Sequence, residues 1–121
     1  MKEAQLTAAG IVIDVIEGNN LNKVFQKYSQ ENKINPKDIS QIKDLVFGTL
    51  RSYGKTKFVI NKLVKRMPSN TLILSLLHVA LFQLISNRSN SYTVVDQAVS
   101  ASNMINKRHT KFVNGVLRSF L

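Results

Sequence analysis

The sequence contains no cysteine, only two histidines, seven acidic residues, two prolines and five glycines in 121 residues. The missing cysteines exclude disulfides, thiolate zinc sites and a cysteine nucleophile. Two histidines are too few for a histidine-built metal centre. The seven acids are scattered, and none forms a pair on one helical face suited to general acid–base work. Gly10, Gly18, Gly48, Gly54 and Gly115 are isolated, so no glycine-rich loop is available to cradle a phosphate or a dinucleotide. No repeat, low-complexity tract or Pro/Gly-rich linker divides the chain. Neither a cofactor nor a catalytic role for this chain alone is expected.

Long apolar runs are also absent. The most apolar segment, Leu72 to Ile85, is fourteen residues long and interrupted by Ser75, His78 and Gln83. A bilayer span needs about 20 residues, so this segment reads as a buried core helix. Nothing at the N-terminus, Met1-Lys2-Glu3-Ala4-Gln5, resembles a secretory signal. A cytoplasmic location without membrane contact is the expectation.

What the chain does have is apolar residues at 44%, charged residues at only 20%, and a net charge of +10. That is a globular composition, and the length suits a single domain over residues 1–121. A chain of this size buries roughly two thirds of its unfolded surface without a metal or disulfide staple. The charge is unevenly placed. Up to residue 42, five basic and five acidic side chains cancel; beyond it, twelve basic side chains face only Asp44 and Asp96. A field of this kind favours a polyanionic partner, nucleic acid before an anionic membrane. The plainer alternative is a well-solvated basic protein.

Val and Ile recur at three and four rather than alternating, which predicts an all-α fold. The first helix is expected over 3–17, stopped by Gly18-Asn19-Asn20, and the second over 21–30. Asn35-Pro36-Lys37-Asp38 is a helix start, with a capping Asn and Pro at the first helical position. Behind it Ile39, Ile42, Val46, Thr49, Leu50 and Tyr53 keep one face apolar. Gly54 marks a break or bend, and a fourth helix runs to about Arg66. Pro68-Ser69-Asn70 opens the apolar fifth helix, and Asn87 to Ser91 is loop-like. The sixth helix, about 92–105, aligns Val94, Ala98, Ala101 and Ile105. The seventh, from about 108, buries Phe112, Val113, Val116, Leu117 and Phe120. The expected architecture is a compact bundle of about seven helices around the fifth, because only full enclosure satisfies a helix that is apolar on nearly every side.

The basic residues are better organised than the acids. At 100° per residue, Lys55, Lys62, Lys65 and Arg66 share an arc of about 100° on the fourth helix. Phe58 lies within that arc, where an exposed ring would stack on an unpaired base. Packing of Phe58 on a neighbouring helix is the favoured reading. Arg108, Lys111 and Arg118 share a face of the last helix, opposite the Phe112–Val116 stripe. The two basic stripes suit a phosphate backbone, and equally the solvated faces of ordinary amphipathic helices. His78 reads as a core histidine bonded to a neighbouring carbonyl. His109, in a basic stretch, reads as an anion contact or as solvated surface.

Two segments carry a family resemblance. Leu45-Val46-Phe47-Gly48-Thr49-Leu50-Arg51, followed by Phe58-Val59-Ile60-Asn61-Lys62-Leu63, resembles the third-to-fourth-helix region of NusB-type RNA-binding domains. Phe112-Val113-Asn114-Gly115-Val116-Leu117-Arg118 resembles that family's C-terminal signature helix, and Val94-Val95-Asp96-Gln97-Ala98-Val99 its sixth helix. The similarity runs from about residue 39 to the end. The family has two branches: free-standing transcription antitermination factors, which bind RNA with a small-subunit ribosomal protein, and the N-terminal domains of RsmB/Sun-type 16S rRNA cytosine-5 methyltransferases. Arginine follows the leucine in both Gly-Thr-Leu-Arg and Gly-Val-Leu-Arg, as in the methyltransferase branch. The arginine-rich N-terminus of the antitermination factors is missing, since only Lys2 is basic before Lys23.

The resemblance implies an RNA-binding domain whose catalytic domain, with its methyl-donor pocket and nucleophilic cysteine, lies outside this chain. Its implied phosphate contacts are Lys55, Lys62, Lys65, Arg66, Arg108, Lys111 and Arg118. Arg51 is either a further RNA contact or an internal partner of Asp96. Gly48 and Gly115 are expected at close helix contacts, and Asn114 at a neighbouring backbone group. The competing readings are an antitermination factor and a protein-interaction or dimerisation module.

Overall fold

The computed structural model describes residues 2–31, 34–87 and 89–121. Among the described residues seven α-helices form: α1 (Lys2–Ile16), α2 (Leu21–Gln30), α3 (Ile39–Arg51), α4 (Tyr53–Leu63), α5 (Thr71–Ser86), α6 (Ser91–Ile105) and α7 (Thr110–Phe120). Short 3₁₀ turns at Pro36–Asp38 and Lys107–His109 lead into α3 and α7. No strand occurs among the described residues, and no helix there is long and apolar enough to cross a membrane.

Asparagine starts five of these elements. Asn20, Asn35, Asn70, Asn90 and Asn106 each hold an extended backbone and accept a hydrogen bond from an amide of the turn that follows. Each bond satisfies a donor that the first helical turn would otherwise leave unpaired. Asn70 accepts from two amides, Leu72 at 3.0 Å and Ile73 at 3.1 Å. At the other end of α5, Asn87 closes the helix in the left-handed conformation, φ 55°. The polar Asn87–Ser91 connection contains Arg88, which lies outside the described residues.

Helix α5 is the centre of the bundle and packs against α1, α3, α4, α6 and α7. Leu76 and Val79 join a core with Ala8, Ile11 and Val12 of α1 and Leu45 and Val46 of α3. Ile73, Leu77 and Leu81 join a second core with Ile60, Val94, Val113 and Leu117. The three polar residues that interrupt α5 each meet a partner on another helix. Ser75 Oγ donates to the Ala9 carbonyl at 2.7 Å, and Gln83 Oε1 accepts from Gln5 Nε2 at 2.8 Å. His78 Nδ1 is hydrogen-bonded to Thr56 Oγ1 at 2.6 Å. A buried polar group without a partner costs free energy, so these bonds fix α1 and α4 on α5 at set positions.

Three boundaries differ from expectation. The break after α3 falls at Ser52, and Gly54 lies inside α4. The turn at Pro36 is 3₁₀, with α3 starting only at Ile39. Helix α4 ends at Leu63, because Val64 turns extended (φ −110°, ψ 120°) to bury its side chain in the second core. His78 also differs from expectation. Its partner is the Thr56 hydroxyl rather than a carbonyl, and its ring stacks on Tyr53 at 3.9 Å between centroids. Burial, and then the nearby Lys57 charge, lower its pKa to about 4.

Candidate nucleic-acid interface

The early end of α4 rearranges the cations assigned to it. Lys55 and Lys62 remain on the helix, exposed and two turns apart on one face. Lys65 and Arg66 are also exposed but follow in the irregular segment that leads toward α5, so they do not belong to the helical stripe. That segment turns them toward α7 instead. Leu63, Val64, Lys65 and Arg66 form one side of a cleft of about 460 Å³, and Lys111, Phe112, Gly115, Val116 and Ser119 form the other. Two of the predicted α4 cations and one predicted α7 cation thus share a single concave surface, whose lining residues include no acid.

The other cations are placed around it. Lys111 and Arg118 lie on α7 and are exposed. Their spacing of seven residues keeps them on one helical face. Arg108 sits one element earlier, on the 3₁₀ turn, rather than on the α7 face. Lys107 stands beside it, exposed on the same turn and four residues before Lys111, a cation that the helical-face argument passed over because it precedes the expected start of the helix at about 108. Arg118 Nε donates to Asn114 Oδ1 at 2.9 Å. Asn114 therefore orients an arginine one turn away and not a neighbouring backbone group. Arg51 closes α3 and is exposed, as is Asp96, and among the described residues no ion pair joins them.

Phe58 does not pack on a neighbouring helix. Its side chain is 63% exposed, the highest value among the phenylalanines. The Lys62 ammonium stands 5.3 Å from the ring centroid, one turn along α4. This is a cation–π arrangement in which the opposite ring face is free of that contact. His109 is half-buried, and its Nε2 is turned out of solvent without a hydrogen-bond partner.

The two glycines expected at helix contacts diverge. Gly48 is buried on α3 against the ring of Phe82 on α5, where a Cβ would collide with three ring atoms. Gly115 is exposed and meets nothing within 4 Å; its missing side chain leaves the cleft open.

Among the described residues no three His, Cys, Asp or Glu side chains gather as a metal site. The domain combines an all-α scaffold, a cleft rimmed by three cations, and an exposed aromatic ring beside lysines. Together they define a binding domain with a cationic face. The chain belongs to the NusB family, whose model matches residues 2–121. It is also similar to proteins named Ribosomal RNA small subunit methyltransferase B. It is 32% identical over 117 residues to the one from Klebsiella pneumoniae (strain 342), and 31% identical over 117 residues to that of Citrobacter koseri. It is 29% identical over 118 residues to that of Salmonella enteritidis. These alignments cover 93% to 95% of this chain but 27% of the relatives, in their N-terminal region.

Proposed function

We propose that this chain is an RNA-binding domain that holds structured ribosomal RNA for a methyltransferase domain acting on it. The observation that carries the reading is the convergence of Lys65, Arg66 and Lys111 on one cleft whose lining residues include no acid. Lys55 and Lys62 extend the same sign of charge along α4. Phosphate contacts of this kind set affinity and position, whereas they carry little base information. The similarity to rRNA methyltransferases supports rRNA as the polyanion, and their N-terminal region as the part this chain matches. The methyl transfer itself is assigned to a separate catalytic domain.

The test is a fluorescence titration with an rRNA fragment at several salt concentrations. Log K falls linearly with log salt, and replacing Lys65, Arg66 and Lys111 by glutamine makes that slope shallower by about 2. Binding absent even at low salt, or an unchanged slope in the triple variant, refutes the reading.

A further inference from the structure

The surface between α2 and α3 lies apart from the cleft beside α7. Phe47 stands on the outer side of α3 and is 44% exposed. Its ring meets that of Phe25 on α2, with centroids 6.3 Å apart and planes tilted by 30°. Lys43 and Arg51 flank Phe47 at a spacing of four and are exposed. Helix α3 therefore turns a cation, a ring and a cation to solvent along one face.

Beside this aromatic pair runs a groove of about 460 Å³ between α2 and the start of α3. Phe25 and Ile39 supply a half-buried apolar floor. Lys23 stands on the α2 rim and Lys43 on the α3 rim, both exposed, and the lining residues include no acid. Asn22, Gln26 and Gln30 follow one another every four residues along the α2 rim and are exposed as well.

These groups discriminate between anionic occupants. A run of phosphates offers acceptors alone and is tracked by a run of cations, whereas only two lysines line this groove, one on each side. An extended peptide presents both N–H and C=O groups, and the side-chain amides of asparagine and glutamine pair with both. Its alternate side chains point to opposite sides, one set down onto Phe25 and Ile39. From Asn22 to Gln30 the helix rises about 12 Å, the reach of roughly four extended residues.

We infer that this groove docks a short, extended acidic segment of another protein. An apolar side chain of that segment lies against Phe25 and Phe47, and its carboxylates meet Lys23 and Lys43. The groove and the cationic cleft share no lining residue, so the domain gains a second surface that does not depend on RNA binding.

The probe is a short fluorescein-labelled peptide of aspartates around a pair of leucines at alternate positions, titrated by fluorescence polarisation at low salt. The wild type is expected to bind it, and serine in place of the leucines to weaken binding about tenfold. Phe47→Ala should cost about tenfold as well. Lys23→Gln combined with Lys43→Gln should cost about fivefold. Both groove variants change exposed side chains, and thermal melts check that they stay folded. The control replaces Lys65, Arg66 and Lys111 by glutamine and should hold the peptide affinity within about twofold. No binding by the wild type, an affinity unmoved by the groove variants, or an equal loss in the control overturns the inference. Groove variants that weaken binding of an rRNA fragment but not of the peptide assign the groove to RNA and overturn it too. A wild type that binds the peptide and no RNA leaves the inference standing and removes the RNA-binding reading.

Discussion

Alanine at Gly48 and alanine at Gly115 are the same chemical change in two helices, and the structure assigns them opposite signs. In both, exchanging glycine for alanine favours the helix by up to about 1 kcal/mol. At Gly115 that gain stands alone, since the new methyl group enters open space. At Gly48 the methyl group meets the ring of Phe82, which packs in the core shared by α1, α3 and α5. The ring must swing away, and overpacking of this kind costs about 1–3 kcal/mol, occasionally more. Three ring atoms are involved, which places the cost near the top of that range. The net expectation is a loss of about 2 kcal/mol for Gly48→Ala and a gain of up to about 1 kcal/mol for Gly115→Ala. For a domain of this length, 1 kcal/mol shifts the melting temperature by about 4 °C. Far-UV circular dichroism melts should therefore separate the two variants by about 10 °C. A Gly48→Ala variant as stable as the wild type would show that Phe82 yields freely. A destabilised Gly115→Ala would remove the premise that this glycine has no structural role.

Other expectations are independent of that pair. His78 is neutral in the folded state, with its pKa lowered to about 4 from 6.5, so the unfolded chain binds its proton first as pH falls. Its contribution is fully present above pH 6.5 and is lost between 6.5 and about 4, by up to roughly 3 kcal/mol. Urea unfolding across that window should show a steeper loss for the wild type than for His78→Gln; equal slopes would contradict the assignment. Asn70→Ala removes the acceptor for two α5 amides and should cost about 1 kcal/mol, seen as a lower denaturation midpoint. Phe58→Ala should leave the melt within about 0.5 kcal/mol of the wild type, because the ring is 63% exposed. The same change should weaken single-stranded RNA binding about tenfold through lost stacking, and an unaltered affinity would return Phe58 to plain surface.

Much of the architecture was legible in the sequence, because apolar periodicity and asparagine caps are local signals. The enclosed position of α5 followed from its composition, and its contacts with α1, α3, α4, α6 and α7 bear it out. The end of α4 was not legible. Lys65 and Arg66 continue the helical arc, and no breaker stands before Pro68; only the pull of Val64 into the second core ends the helix early. The candidate site suffered from the same cause, since a cleft made by two segments about fifty residues apart leaves no periodic trace. Phe58 carried no signal of its side, because a lone ring inside a basic arc fits either face. Gly48 and Gly115 are indistinguishable as letters, and only their tertiary neighbours tell them apart.

The two cores meet along α5 and, beside it, α6, whose Ala101 joins one while Val94 and Ala98 join the other. Leu76 and Val79 face one of them, while Ile73, Leu77 and Leu81 face the other, and all five belong to α5. Neither half of the chain can close its interior without this helix, and α5 cannot hide its far side without both halves. The expectation is that both interiors unfold together. The backbone amides of α5 are expected to exchange with solvent only when everything opens at once, and α5 amides that exchange faster than global unfolding would show that the part carrying the cationic cleft loosens by itself.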